Sequence, residues 1–234
     1  MAWTCTGSSN RALVENMRAA NIIKTLCVFE AMLTVDRGNY SPSEPYADSP
    51  QSIGFNATIS APHMHASALE TLAPMLQHDG AKVLDVGCGS GYFTVLCARL
   101  NPSAMVLGVD YIPNLVALSI ENTGKQDRDL LDSGRVRYVT SSGWDLDGLN
   151  ASKHNLGPEF KPPYDVIHVG AAADRIPQSL LQGLKNGGRM VIPVGPEHGN
   201  QELLQVDRIG SSGDARRDFR VQKLMGVRYV PLVK

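Results

Sequence analysis

Hydrophobic positions along the chain fall into two regimes. In the first, apolar residues recur at helical spacing. Leu13, Val14 and Met17 follow the capping candidates Ser8 and Ser9, and Val28, Phe29, Met32 and Leu33 follow Thr25. A Pro/Ser/Tyr-rich stretch from Tyr40 to Pro50 interrupts this pattern and predicts an irregular surface loop. After Ser60-Ala61-Pro62 a longer helix is expected, carrying Leu69, Leu72, Ala73 and Leu76 on one face. From residue 81 the regime changes to short apolar runs: Lys82–Val86, Met105–Val109, Val136–Thr140, Asp165–Val169 and Arg189–Val194. Helical segments lie between several of them, at Phe93–Leu100, Leu115–Asn122 and Gln178–Leu184. Strands that are apolar almost throughout, separated by helices, imply a mostly parallel sheet covered on both faces. Two last runs, Glu202–Val206 and Val227–Leu232, have no helix between them and predict antiparallel C-terminal strands. The expected fold is a doubly wound α/β domain with a helical N-terminal cap.

Composition adds exclusions. A 234-residue chain that is 43% hydrophobic and 19% charged has ample material for a core. Its formal net charge of -1 provides neither a basic field for nucleic acid nor an acidic tail for a basic partner. The start, Met1-Ala2-Trp3-Thr4-Cys5, lacks the pattern of a secretory signal, and no apolar run approaches the ~18 residues of a membrane helix. Cys5, Cys27, Cys88 and Cys97 form no C-x-x-C pair, so reduced thiols in a cytoplasmic protein are expected rather than a zinc site or staples.

The strongest local signal is Val83-Leu84-Asp85-Val86-Gly87-Cys88-Gly89-Ser90-Gly91, an apolar strand running through a glycine-rich turn into a helix. Glycines such as Gly87 and Gly89 allow a sharp turn and close approach of a ligand to the backbone. The next strand ends in Asp110, about 20 residues beyond the loop, where Rossmann-type sheets place the carboxylate that binds ribose hydroxyls. As a cap for the segment after Pro113, Asp110 would leave that joint spacing unexplained. A dinucleotide fingerprint requires a small residue at position 92, and Tyr92 stands there. The spacing therefore favours S-adenosylmethionine, which has no pyrophosphate, over NAD. Asp85 is placed either to support the loop or to receive the ammonium group of that ligand.

Several longer motifs follow in order: Asp48-Ser49-Pro50-Gln51-Ser52-Ile53-Gly54-Phe55, Ala57-Thr58-Ile59-Ser60-Ala61-Pro62-His63-Met64-His65-Ala66, Ile167-His168-Val169-Gly170-Ala171-Ala172-Ala173, Ile192-Pro193-Val194-Gly195-Pro196 and Leu224-Met225-Gly226-Val227-Arg228-Tyr229-Val230-Pro231-Leu232. On these the chain resembles the protein-L-isoaspartate (D-aspartate) O-methyltransferases of animal type, over nearly its whole length. The resemblance implies a single methyltransferase domain over 1–234, with 1–60 as a helical cap and substrate-side segment and 61–234 as a Rossmann-like cofactor-binding core. It implies S-adenosyl-L-methionine as cofactor, S-adenosyl-L-homocysteine as product and no metal. Cofactor contacts are implied for Ala57, Thr58, Ile59, Ser60, His65, Ser90, Asp110, Tyr111, Ser142 and Gly143, with Ser60 as the active-site residue. The implied substrates are peptides and proteins carrying L-isoaspartyl or D-aspartyl residues, and the implied state is a cytosolic monomer with no nucleic-acid or membrane partner.

The residues accommodate that chemistry. A carboxylate nucleophile, with a reference pKa of ~4, is already ionised at neutral pH and needs no general base. The methyl group is activated by its sulfonium, so the protein has to hold the carboxylate in line and exclude water. Thr58 and Ser60 suit this as hydrogen-bond donors, and backbone N–H groups at the helix start after Ser60 are expected to help receive the anion. Ser60 also reads as that helix's N-cap, worth ~1 kcal/mol. His63 and His65 point to different sides of a helix and form no metal motif. His168, in an apolar strand, reads as a core histidine. Three features depart from the family pattern: Ser142 replaces an acidic residue, Trp144–Pro163 is a longer connection expected to lie in solvent, and Val233-Lys234 ends the chain where a threonine and a short polar tail are usual. They motivate the alternatives of a weakly active cofactor-binding interaction module or a methyltransferase for another carboxylate. A nicotinamide-dependent oxidoreductase is disfavoured by Tyr92.

Overall fold

The computed structural model describes residues 5–144, 146, 149 and 154–233. Its N-terminal part is helical, as the periodicity requires. Helix α1 (Asn10–Ala19) starts at Ser9, whose side chain accepts from the Ala12 N–H, and buries Leu13, Val14 and Met17. Helix α2 (Leu26–Thr34) is capped from a distance. The Glu70 carboxylate of α3 (Pro62–Leu76) accepts from the N–H groups of Lys24 and Thr25, at 2.8 and 2.9 Å, and from the Thr25 hydroxyl. Between α2 and α3 lies a small antiparallel hairpin to which the pattern assigned no element, β1 (Gln51–Gly54) and β2 (Ala57–Ile59). Phe55 and Asn56 turn it with φ of 52° and 57°, the left-handed conformation two-residue hairpins demand.

Seven strands form the main sheet in the order β5-β4-β3-β6-β7-β8-β9. They are β3 (Lys82–Val86), β4 (Met105–Asp110), β5 (Val136–Thr140), β6 (Tyr164–Val169), β7 (Leu184–Val194), β8 (Gln201–Arg208) and β9 (Phe219–Val227). The first five pair in parallel, while β8 and β9 add antiparallel neighbours at one edge. Alternation splits the side chains between two cores. Val83, Val106 and Val166 pack with α1, α3 and α4 (Tyr92–Leu100), whereas Leu84, Leu107 and Ile167 face the opposite layer. The chain runs one way from β3 to β4 and β5, and the other way to β6 and β7. Such a reversal leaves a crevice beyond the C-terminal ends of β3 and β6.

The structure corrects four expectations. The final strand is Phe219–Val227, not Val227–Leu232: the residues beyond Val227 form a strap that touches the sheet's end through an isolated bridge between Pro231 and Ala172. The helix expected over Gln178–Leu184 stops at Gly183, because β7 begins at Leu184. Ser60 does not cap α3; Ala61 occupies that position. The connection Trp144–Pro163 does not hang in solvent, since Leu146, Leu149, Leu156 and Phe160 are buried in the second core. Asp145, Asp147, Gly148 and Asn150 to Lys153 of that connection, and Lys234, lie outside the described residues.

Candidate active site

The site is built on the turn after β3. Gly87, Gly89 and Gly91 adopt φ of 73°, 56° and 86°, and the N–H groups of Gly87 and Cys88 both donate to the Val109 carbonyl of β4. Asp110, at the end of β4, closes the turn from the side: its Oδ2 accepts from Gly89 N at 3.0 Å and its Oδ1 from Ile112 N at 3.1 Å. Burial raises the Asp110 pKa, and the backbone donors partly offset that rise. Across the crevice Gly170 comes so close that a Cβ there would meet the Gly87 carbonyl at 2.8 Å. Tyr92, at the start of α4, is buried against Tyr40 and His65, so an aromatic ring fills the place that a dinucleotide fold reserves for a small residue.

The opposite wall comes from β2 and the segment leading into α3. Arg37, fully buried, donates through Nη2 to the Ser60 carbonyl at 2.8 Å and holds that segment in place. Burial lowers the Arg37 pKa to about 10. The expected anion reception by backbone N–H groups at the start of α3 is not available as drawn. Pro62 has no N–H, and the His63 N–H already donates to buried Asp48 at 3.1 Å. Asp48, rather than Ser60, therefore caps this helix, and it also bonds His63 Nδ1 at 2.7 Å. The Ser60 side chain instead lies near the Tyr229 phenol, whose pKa is raised by burial, an effect that Ser60 partly offsets.

The roof is the strap after β9. Ala172 N donates to the Val230 carbonyl, Leu232 N to the Ala172 carbonyl, and Trp144 Nε1 to the Leu232 carbonyl at 3.0 Å. Beneath it lies a cavity of about 480 Å³. Ala57, Thr58, Gly87, Gly89, Asp110, Tyr111 and Gly143 line it, together with the strap residues Val230, Pro231 and Leu232. A second cavity of about 30 Å³ adjoins it, lined by Thr58, Ile59, Ser60, His65, Asp85, Gly87, Gly89 and Ser90. The structure thus brings all the expected residues together except Ser142, which lines neither cavity and accepts from Trp144 N at 3.2 Å. Asp85 is fully buried, with Thr94 Oγ1 2.6 Å from one oxygen and His168 Nδ1 2.7 Å from the other.

Sequence reasoning passed over Arg37 and Glu197, whereas Ala171 stood in a motif at the strand end where ligands bind such sheets. Arg37 reads locally as a surface cation, and Glu197 belongs to an exposed loop that folds back to the cavity. Phe55, Tyr229, Val230 and Leu232 carried a signal only as members of longer motifs. Among the described residues, no group of three or more His, Cys, Asp or Glu is placed to hold a metal ion.

This geometry fits S-adenosylmethionine. The larger cavity lies within the roughly 300–1,000 Å³ of small-molecule sites, and its lining includes the Asp110 carboxylate and the apolar side chains of Ile112 and Leu115. Sheet, glycine turn and strand-end carboxylate together define an S-adenosylmethionine-dependent methyltransferase. The comparisons with known proteins narrow the class. The profile of protein-L-isoaspartate(D-aspartate) O-methyltransferase matches residues 8–234. A Caenorhabditis elegans protein-L-isoaspartate O-methyltransferase is 42% identical over 99% of this chain and 96% of its own length. One from Triticum aestivum is 44% identical over 95% and 90% of the two chains. The crystal structure of a Plasmodium falciparum beta-aspartate methyltransferase in complex with S-adenosyl-L-homocysteine superposes with a TM-score of 0.83 at 31% identity, covering 97% of this chain and 99% of that one. The chain belongs to the protein-L-isoaspartate(D-aspartate) O-methyltransferase family.

Proposed function

We propose that the chain transfers the methyl group of S-adenosylmethionine to the free carboxylate of L-isoaspartyl or D-aspartyl residues in damaged peptides and proteins. The methyl ester then collapses to a succinimide, whose hydrolysis returns some normal aspartate. The observation that carries the reading is the junction of the two cavities. Thr58, Gly87, Gly89 and Gly170 line both, so a ligand with adenosine in the larger and its amino-acid end in the smaller has its sulfonium beside Thr58 and close to Ser60.

When bound, the cofactor supplies a methyl carbon bonded to a positively charged sulfur, which leaves with the bonding pair as a neutral thioether. The chain supplies position. The Thr58 and Ser60 hydroxyls donate to the carboxylate, Tyr229 orients Ser60, and the strap excludes water. Ala57, Ile59, His65, Asp85, Gly87, Gly89, Ser90, Asp110, Tyr111, Ser142 and Gly143 surround the cofactor, directly or through a neighbour. We take 1–234 to work as one catalytic unit, a monomer acting on proteins in the cytosol and not on nucleic acid or at a membrane. The formal net charge of -1 offers nothing to steer a polyanion.

Labelled methyl transfer to peptides that differ only in isoaspartate versus aspartate tests the reading. Transfer is expected to the isoaspartyl peptide alone, and Ser60→Ala should lower kcat roughly ten- to a hundredfold, the worth of one hydrogen bond to a charged group. Cofactor binding with no transfer to either peptide would sink the repair reading.

A further inference from the structure

The larger cavity reaches across five strand ends. Gly143 lies beyond β5, Asp110 beyond β4, Gly87 beyond β3, Ala171 beyond β6 and Glu197 beyond β7. With neighbouring strands roughly 4.8 Å apart, the turn that carries Glu197 is about 14 Å across the sheet from Asp110. A cofactor whose ribose is held at Asp110 takes the arm over β3 to β5. The arm over β6 and β7 is left, bounded by Ala171, Glu197 and the strap. Thr58, which lines both cavities, stands at the reacting centre of the proposed transfer. The peptide that brings its carboxylate there leads out through that second arm.

Glu197 sits on the turn between β7 and β8, one residue past the motif Ile192 to Pro196. Hydrogen bonds fix this turn. Gly195 N donates to the Ala173 carbonyl at 2.9 Å, Gly199 N to the Pro196 carbonyl at 3.1 Å, and Gln201 Nε2 to that same carbonyl at 3.3 Å. A Cβ on Gly195 would meet the Asn200 carbonyl at 2.5 Å, so the turn folds back on itself only with glycine there. The exposed Glu197 is thereby brought to the cavity wall. Among the described residues it has no ion-pair partner, and no Lys, Arg or His lines the cavity. Asp110, the other charged residue of the lining, is engaged by two backbone donors. An anionic substrate thus enters a cavity whose charged walls are both carboxylates. A substrate with a cation beside the damaged residue offsets that field and gives Glu197 a partner, whereas a further acidic residue meets like charge.

We propose that Glu197 sets the substrate preference of this chain, so that isoaspartyl sites flanked by Lys or Arg are taken over those flanked by Asp or Glu. The inference rests on the proposed methyl transfer to isoaspartyl carboxylates and names a class of site within it. Glu197 meets a flanking side chain and not the reacting atoms, so its effect falls on KM and leaves kcat nearly unchanged. The pair it forms is open to solvent, which limits the preference to a modest factor and makes it weaken with salt.

Labelled methyl transfer to a set of isoaspartyl peptides tests the assignment, with one flanking position at a time set to Lys, Ala or Glu on either side of the damaged residue. For the wild type, kcat/KM with Lys should exceed that with Glu roughly five- to twentyfold on at least one side, and NaCl at about 0.5 M should shrink the gap. Glu197→Gln should bring the ratio close to one. Glu197→Lys should invert it, an outcome that damage to the fold does not produce. All three proteins should methylate the Ala-flanked peptide within about twofold of one another. A wild-type ratio near one, or the same ratio in wild type and Glu197→Lys, would overturn the assignment and leave the repair reading standing. Absence of transfer from the wild type to every peptide would remove the repair reading and this preference with it.

Discussion

Ser142 follows the cavity-lining Ser141 and precedes Gly143, where any side chain would overlap Val86 Cγ1. The backbone is therefore pressed against the sheet, and position 142 supplies a polar side chain at the rim. A serine there spends its oxygen on Trp144 N. A carboxylate has a second oxygen free and can take a charge-assisted hydrogen bond from the adenine amine. Ser142→Asp is expected to tighten S-adenosyl-L-homocysteine binding by about 1 kcal/mol, a several-fold fall in Kd by calorimetry, with Tm of the free protein little changed. An unchanged Kd would mean that the adenine edge does not face residue 142. This position stood out in the chain because it follows the Val136–Thr140 strand, where the family pattern has an acidic residue. Arg37 did not. Its partners Ser60 and His65 lie 23 and 28 positions away, and neither charge nor periodicity near Arg37 foretells its burial.

The strap from Arg228 to Leu232 belongs to no regular element, yet it roofs the site and carries Tyr229. Tyr229 N donates to Gln201 Oε1 at 2.6 Å, so β8 fixes the backbone that carries the phenol near Ser60. If Tyr229 orients the Ser60 hydroxyl, Tyr229→Phe should cost kcat about fivefold, near 1 kcal/mol, and leave the Kd of S-adenosyl-L-homocysteine alone. The double variant with Ser60→Ala should then be no slower than Ser60→Ala itself, since residues acting through one another do not add. Additive losses would give Tyr229 a separate role. Strands with clear apolar runs were read closely, β3 and β5 to the residue, even though β5 lies at the sheet edge with Arg137 exposed. The last strand was not. Along β9 only Phe219, Leu224 and Val227 are even partly buried, and Arg220, Gln222 and Lys223 face solvent, so its pattern stays below that of a strand. The strap reads as a strand because lining a cavity selects apolar residues as a sheet does. The hairpin β1–β2 is too short for any period to emerge.

At the scale of the whole molecule, two cores flank the sheet and the site's charged groups sit inside one of them, so cofactor chemistry and stability share residues. His65 is the clearest case. Burial, then the neighbouring Arg37, His168 and His63 charges, hold its pKa well below the ordinary 6.5. The sign follows directly. Below about pH 6.5 the unfolded chain takes up a proton at His65 that the folded chain refuses, so the unfolded state binds more protons and stability falls with pH. The contribution is fully present above that value and declines beneath it, with a slope approaching about 1.4 kcal/mol per pH unit for one proton. Carboxylates titrate lower, and the raised Asp110 pKa works in the opposite sense, because the folded chain takes up its proton first as pH falls. The window between about pH 6.5 and 5 therefore isolates histidine. Urea unfolding across that window should show wild-type stability dropping more steeply than that of His65→Gln, which has no proton to gain. The two profiles should run parallel above it. Parallel profiles throughout would mean that folded His65 is protonated along with the unfolded chain, and that burial beside Arg37 does not hold it neutral.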